Sequence, residues 1–133
     1  MSYNIQESRQ QKNKKTNMLD YQKQLKIKMN DLAHKVYQTT KILPHHERYG
    51  LTSQINRASL SVILNYIEGY ARVKKGYRIN FLEMSYGSLK ETQYLLHFIY
   101  IEKFINKENF DRLFSLADEI GAMLWTEIKN IKD

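Results

Sequence analysis

The chain has 133 residues, with five glycines, one proline and no cysteine. That length suits a single domain with a substantial core, and the lack of thiols excludes disulfides and thiolate metal sites. The formal net charge of +7 favours a polyanionic partner, whereas no stretch reaches the roughly 18 apolar residues of a membrane span. We therefore expect a cytoplasmic protein without a membrane segment.

Positive charge is concentrated near the N-terminus. Residues 1–28 hold seven Lys or Arg residues and two acidic ones. Residues 1–16 are polar and show no hydrophobic period, which predicts a basic, flexible arm ahead of a folded region formed by residues 17–133. Within this arm, Lys12, Lys14 and Lys15 are candidates for phosphate contact, and a solubilising tail is the alternative.

Four amphipathic helices are predicted after the arm, at about residues 18–42, 51–72, 77–102 and 107–131. In each of them apolar residues recur at steps of three or four. Pro44 ends the first helix, and Asn106 is suited to cap the fourth. Because short connections place consecutive helices side by side, we expect an all-α, antiparallel up-down four-helix bundle.

The second helix is apolar on more than one side. One row occupies a single face: Leu51, Ile55, Ala58, Val62, Tyr66 and Gly69. Leu60, Ile63, Leu64 and Ile67 lie off that row. A helix of this kind is typically buried by several neighbours at once.

Four polar residues interrupt the apolar stripes of the second and third helices: Asn65, Glu68, Ser88 and Glu91. One interpretation is a paired-carboxylate site, formed by Glu68 and Glu91, for acid–base chemistry or metal binding. We favour structural hydrogen bonds between helices or between subunits, because buried polar groups must be satisfied and two lone carboxylates are a weak metal signal. The Glu-x-x-His pairs of a di-iron bundle do not follow either glutamate.

Histidines and glycines show no cofactor pattern. His45 and His46 are adjacent rather than four residues apart, and the glycines are dispersed. A zinc helix or a phosphate-binding loop would need those spacings. We therefore predict no cofactor, no metal and no enzymatic activity.

Cations and aromatic residues cluster around the second turn. Arg57, Arg72, Lys74, Lys75 and Arg78 accompany Tyr70 and Tyr77. Cations capture phosphates and aromatic faces stack on bases, so this pattern indicates a nucleic-acid surface, with an ordinary solvated loop as the alternative.

Several motifs together resemble a bacterial family of four-helix bundles. They are LTSQINRA at residues 51–58, Ser61, Asn65, EGYAR at 68–72 and GSLKE at 87–91, with Pro44 and residues 47–50 in the connector. Members of that family were first noticed as products of intervening sequences in 23S ribosomal RNA genes. The resemblance covers about residues 19–128. Ile63 departs from it, since the family often has proline there.

The resemblance implies a homopentamer and kinship with the accessory variability determinant of diversity-generating retroelements. That protein is basic and pentameric and binds nucleic acid and a reverse transcriptase. The family has no known catalytic residues. We expect a homo-oligomeric accessory protein that binds RNA or DNA through phosphates and assists a reverse transcriptase. The alternative is a protein–protein adaptor whose charge is incidental.

Overall fold

The computed structural model describes the backbone of residues 2–133 and the side chains of residues 8–15 and 17–133. Within residues 2–133 the regular secondary structure is entirely helical, without a strand. The helices are α1 (Ser2–Thr40), α2 (Ser53–Tyr70), α3 (Lys75–Ile101) and α4 (Lys107–Lys132). Both α1 and α3 pack against α2 and α4, an arrangement consistent with a four-helix bundle. Within the described backbone, no helix is long and apolar enough to cross a membrane.

The start of α1 differs from the expectation. The helix begins at Ser2 rather than near residue 17, so the predicted arm continues the same helix. Residues 8–15 are exposed, as their polar sequence requires. Gln, Lys and Arg are good helix formers, and residues 2–16 contain no Gly or Pro, so a helix nucleated by the packed part of α1 extends outward. Whether this extension is flexible in solution stays a prediction.

Pro44 and Gly50 shape the link between α1 and α2. Pro44 begins a 3₁₀ turn, His45–Glu47, and a wider helical turn follows over Arg48–Thr52. Gly50 has φ −106° and ψ −106°, outside the helical region, and this bend directs the chain into α2. Proline with its fixed φ and glycine with its freedom suit these two roles.

The core follows the apolar rows of the sequence. Leu82, Leu89 and Leu96 of α3 are fully buried, as are Val62 and Tyr66 of α2. Ser85 Oγ donates to the Val62 carbonyl at 2.5 Å, which joins α3 to the backbone of α2. By contrast, Leu60, Leu64 and Ile67 are 50%, 55% and 49% exposed, so one chain alone does not bury the second apolar side of α2.

The predicted cap of α4 is confirmed. Asn106 Oδ1 accepts from the backbone N–H of Asn109 at 2.8 Å, which satisfies one of the unpaired amides of the first turn. The apolar residues that recur at helical steps along α4 form a stripe that is buried over most of the helix, with Leu113, Ile120 and Leu124 fully covered.

Gly69 marks the closest approach of α2 to α3. A Cβ at Gly69 would lie 2.5 Å from Leu82 Cδ1 and 3.3 Å from the Arg78 carbonyl oxygen, whereas one at Gly87 would meet no atom within 4 Å. We predict that Gly69→Ala lowers the free energy of unfolding by about 1–3 kcal/mol through overpacking. Gly87→Ala should raise it by about 1 kcal/mol through helix propensity alone.

Urea denaturation of the two variants beside the unsubstituted chain measures both effects. Equal shifts of the same sign would contradict the assigned role of Gly69.

Candidate nucleic-acid interface

Four of the predicted cations lie at one end of the helical assembly. Arg72 and Lys74 belong to the turn after α2, while Lys75 and Arg78 occupy the first turn of α3. Lys75 is exposed and Arg78 is half-buried. The short α2–α3 turn therefore gathers these charges on one surface, which we call the basic end.

The exposed N-terminal part of α1 extends beyond the packed helices at the basic end. Asn17 and Met18 of α1 line a groove together with Arg78 of α3. Lys14 and Lys15 lie about one helical turn before Asn17, and Lys12 lies just beyond them. The structure thus brings the α1 lysines and the turn cations to the same end.

Arg57 does not join this surface. It is exposed near the start of α2, whereas Arg72 follows the end of that helix. Fifteen residues of helix separate the two by about 22 Å. Arg57 therefore lies away from the other predicted cations, although it is close to them in sequence. Its role in binding stays a prediction.

Two other lysines extend the basic end. Lys26 of α1 lines a smaller groove beside Tyr66 and Tyr70, and exposed Lys129 of α4 precedes Asn130 in the main groove. The sequence motifs did not single out either lysine, because each belongs to a different helix from the turn. Only the packing of the helices shows that they are neighbours.

Local partners neutralise part of this charge. Arg72 pairs with Glu68 at 3.0 Å and lies 4.9 Å from the centroid of the Phe81 ring. The Nζ of Lys74 lies 5.7 Å from the centroid of Tyr77. Exposed ion pairs and cation–π contacts of this kind hold a side chain weakly, so these cations remain accessible to phosphate.

A buried glutamate lies behind the basic end. Glu127 of α4 is 6% exposed, and its two oxygens accept hydrogen bonds from the hydroxyls of Tyr66 and Tyr70 on α2. The Tyr66 bond is 2.7 Å long. Nearby, Tyr21 of α1 donates to the Met123 carbonyl at 2.7 Å. These contacts join three helices through polar groups at the basic end.

Burial sets the protonation of this cluster. It raises the pKa of Glu127, and the hydrogen bonds from Tyr70 and Tyr66 oppose that rise. Burial first, and then the Glu127 charge, raise the pKa of Tyr66 far above its usual value. Tyr70 and Tyr21 shift in the same direction with burial as the main cause. The three phenols therefore stay protonated as donors at neutral pH.

Arg78 lies beside this cluster with one donor unsatisfied. Its guanidinium carbon is 5.2 Å from the centroid of the Tyr70 ring, and Nη2 donates to the Arg72 carbonyl at 3.1 Å. The Nε–H is buried and has no hydrogen-bond partner among the described residues. A buried donor left in that state costs about 1–3 kcal/mol, so water or a ligand is expected to complete it.

The main groove contains these groups together. It has a volume of about 510 Å³ and is lined by Asn17, Met18, Tyr21, Tyr70, Arg78, Glu127, Asn130 and Ile131. Its walls combine apolar side chains, aromatic rings and amides, with one guanidinium and one carboxylate. Such a lining suits a flat ligand with polar edges.

The contacts of the polar residues predicted on α2 and α3 lie within their own helix or the turn that follows it. Asn65 Nδ2 donates to the Ser61 carbonyl at 2.9 Å in its own helix, and the Ser88 carbonyl accepts from Thr92 at 2.8 Å. Glu68 and Glu91 are exposed. Within residues 17–133, other side chains make the hydrogen bonds between helices, and Gln93, for example, donates to Asp118 at 2.8 Å. The other donors are Tyr21, Asn56, Tyr66, Tyr70 and Ser85. Contacts of Asn65, Glu68, Ser88 and Glu91 with another subunit stay a prediction.

No metal-binding cluster of three or more His, Asp or Glu residues occurs in the described part of the chain. His45 and His46 are exposed on the 3₁₀ turn, at the opposite end of α2 from the groove.

The family profile of the 23S rRNA-intervening sequence proteins matches residues 21–126. The chain belongs to this family. A crystal structure of a protein of unknown function from the S23 ribosomal protein family of Bacteroides thetaiotaomicron VPI-5482 is similar in fold, with a TM-score of 0.74. The two share 24% identity over 79% of this chain and 98% of that one. No curated protein matches this sequence.

The sequence patterns do not predict the buried cluster around Glu127, although they contain one signal for it. Glu127 lies three residues after Leu124 and four before Ile131, both members of the predicted α4 stripe. A carboxylate on the core face of a helix needs buried donors. Its partners, Tyr66 and Tyr70, are about sixty residues earlier, where the sequence pattern indicates a core position for Tyr66 and a base-stacking ring for Tyr70.

Tyr66 generates a prediction about alkaline pH. The unfolded chain releases the phenolic proton from about pH 10 upward, whereas the folded chain retains it, so stability falls as pH rises above about 10. The contribution of Tyr66 is at most about 1.4 kcal/mol per pH unit. Tyr66→Phe should remove this part of the slope, as measured by chemical denaturation between about pH 9 and pH 11.

Tyr49→Phe is the matched control, because Tyr49 is 88% exposed. It should leave the slope unchanged. Tyr70 and Tyr21 also have raised pKa values, so a smaller slope remains in Tyr66→Phe. A slope equal to that of the unsubstituted chain would show that Tyr66 is not protected in the folded state.

Proposed function

We propose that this protein is a non-enzymatic, homo-oligomeric accessory protein that binds RNA or DNA through phosphate contacts. One observation supports this most strongly: the turn cations Lys74 and Lys75 and the α1 lysines 14 and 15 lie at the same end of the structure. Charges from separate helices gathered on one surface form the electrostatic footprint of a polyanion site.

Phosphate contact is the chemistry that these side chains offer. Lys74 and Lys75 are exposed cations that neutralise phosphates without reading a base. Arg72 has a fork geometry for phosphate, but its contact with Glu68 must open first. Affinity is therefore expected to come from several weak contacts and to fall steeply with salt.

The proposed bundle is antiparallel and up-down. Contacts between consecutive helices run in opposite sequence directions: Gly69 lies against Leu82 and Val62 against Ser85. Between α3 and α4, Gln93 meets Asp118 and Glu83 pairs with Lys132. Both sets pair a later residue of one helix with an earlier residue of the other.

Self-association has a candidate surface on α2. Leu60, Leu64 and Ile67 follow steps of four and three, so they share one face, and each is about half-exposed. Contiguous apolar surface of this kind marks an interaction site. We assign it to another copy of the chain, and a homopentamer is the assembly that the family resemblance implies.

A ring of copies would repeat the basic end around its axis. Weak phosphate contacts then add through avidity once a ligand spans several subunits. Assistance to a reverse transcriptase, kinship with retroelement accessory proteins and a cytoplasmic location are parts of this proposal that rest on resemblance and composition.

A protein–protein adaptor is the second candidate. Tyr94, Phe98 and Ile101 of α3 are exposed at steps of four and three and form another apolar row. Aromatic residues of this kind are enriched at protein interfaces. Under this alternative the α3 row binds the partner, and the basic end has no direct role.

Charge reversal tests the nucleic-acid proposal. Lys74→Glu combined with Lys75→Glu should weaken binding of structured RNA or duplex DNA by at least about tenfold near 50 mM salt, because it removes two phosphate contacts and adds repulsion. Fluorescence anisotropy across a salt series measures the affinity and its slope. Lys41→Glu with Lys107→Glu makes the same charge change near the opposite end of the helices and should have little effect.

Equal losses in the two double variants would indicate general attraction to net charge rather than a site. Absence of binding by the unsubstituted chain at low salt would refute the proposal. Capture of a protein partner that survives Lys74→Glu with Lys75→Glu would favour the adaptor.

The α2 face generates a prediction about assembly. Leu64→Lys places a charge in the centre of the exposed apolar row and should convert a pentamer to monomers, because desolvating an unpaired cation at an interface is costly. Sedimentation velocity at micromolar concentration measures this. Tyr49→Lys, an equal change on an exposed residue outside the row, should leave the assembly intact.

A monomeric unsubstituted chain, or a pentamer that tolerates Leu64→Lys, would remove the assignment of this face to self-association.

A further inference from the structure

The groove at the basic end has a hydrogen-bonding capacity that phosphate does not explain. Glu127 lines it, and a carboxylate there repels a phosphate group. Exposed cations such as Lys75 and Lys129 lie outside the set of lining residues. The groove and its surroundings therefore suit different parts of one ligand: an anionic backbone outside and a neutral, polar-edged group inside.

Glu127 retains acceptor capacity. The hydroxyls of Tyr66 and Tyr70 use two of the roughly four lone-pair positions on the carboxylate. The remaining positions can accept from another donor, and an amino group is the complementary partner. Because the two tyrosines hold the carboxylate on both oxygens, its orientation is set before any ligand arrives.

Arg78 supplies a hydrogen-bond donor in the same groove. Its buried Nε–H has no partner, and no ion pair joins Arg78 to Glu127 in the described part of the chain. The two side chains that carry this unsatisfied donor and this partly free acceptor thus line one groove. A ligand that carries an amino group next to an acceptor atom would satisfy both.

Flat surfaces complete the lining. The guanidinium of Arg78 lies over the Tyr70 ring, and Tyr21 forms part of another wall. The amides of Asn17 and Asn130 are at the exposed margin. Aromatic rings stack on bases with little regard for sequence, whereas amides and charged forks read base edges.

We propose that this groove binds one unpaired base of a single-stranded nucleic acid, preferring bases that place an amino group beside a ring acceptor. Cytosine and adenine have that edge; uracil and thymine have a carbonyl in place of the amino group. The inference rests on the proposed function, since the strand that carries the base is the one held by the surrounding cations. It adds base preference to a surface that otherwise contacts only phosphates.

The test uses short uridine-rich RNA strands that differ only at one central position, which is cytosine, adenine, uracil or abasic. Anisotropy with the full chain, near 50 mM salt, should give about tenfold tighter binding for cytosine or adenine than for uracil or the abasic strand. Asn130→Trp, which fills the groove from an exposed position, should abolish this difference and leave the affinity for the uracil strand nearly unchanged.

Two variants sharpen the result. Gln54→Trp also introduces a tryptophan at an exposed residue, but at the far end of α2, about 24 Å along the helix from Tyr70. This variant should keep the preference. Arg78→Lys keeps the charge but removes the Nε–H, so it should reduce the preference while sparing phosphate affinity. A preference that persists in Asn130→Trp would overturn the proposal.

NMR titration with CMP and UMP locates binding without any substitution. CMP should shift the side-chain amide signals of Asn17 and Asn130, and UMP should shift them much less. If CMP binds but no strand does, the ligand is a free nucleotide and the strand proposal is wrong. If all strands bind equally, the base-binding proposal is wrong and the proposed function stands. If no strand binds, both are wrong.

Discussion

The burial of Glu127 is the constraint on which the basic end depends. A carboxylate on the core face of α4 needs donors from neighbouring helices, and Tyr66 and Tyr70 on α2 supply them. This fixes the last turns of α2 against α4, just before the turn that carries Lys74. Apolar residues at the same positions could pack as tightly, but they would leave no oriented acceptor in the groove.

Arg78 links this buried cluster to the charged surface. Its guanidinium contacts the Tyr70 ring on one side and donates to the Arg72 carbonyl on the other. The position of the turn is therefore coupled to the tyrosine–glutamate contacts rather than left to a free loop. Arg78, which the sequence pattern groups with the exposed cations, therefore also connects the core to the surface.

The helices were largely predictable, and the polar cluster was not. Rows such as Leu82, Leu89 and Leu96 repeat at a helical period, so burial follows from local spacing. The beginning of α1 was missed because residues 2–16 have helix-forming composition without an apolar period. Separation of Arg57 from Arg72 follows from helix length, whereas the partners of Glu127 depend on packing between distant segments, which no local pattern records.

The length of α1 has a consequence for the size of a ligand. From Met18, which lines the groove, the helix carries Arg9 outward by about 14 Å. That distance exceeds the Debye length of about 8 Å at physiological ionic strength, so solvent ions screen Arg9 from an anion held at the groove. A single nucleotide would interact only with the cations nearest the groove. Each further phosphate of a strand lying along α1 would contact another Lys or Arg of that helix. Under the proposed function, chain length rather than the strength of any one contact would then decide which polyanions are retained.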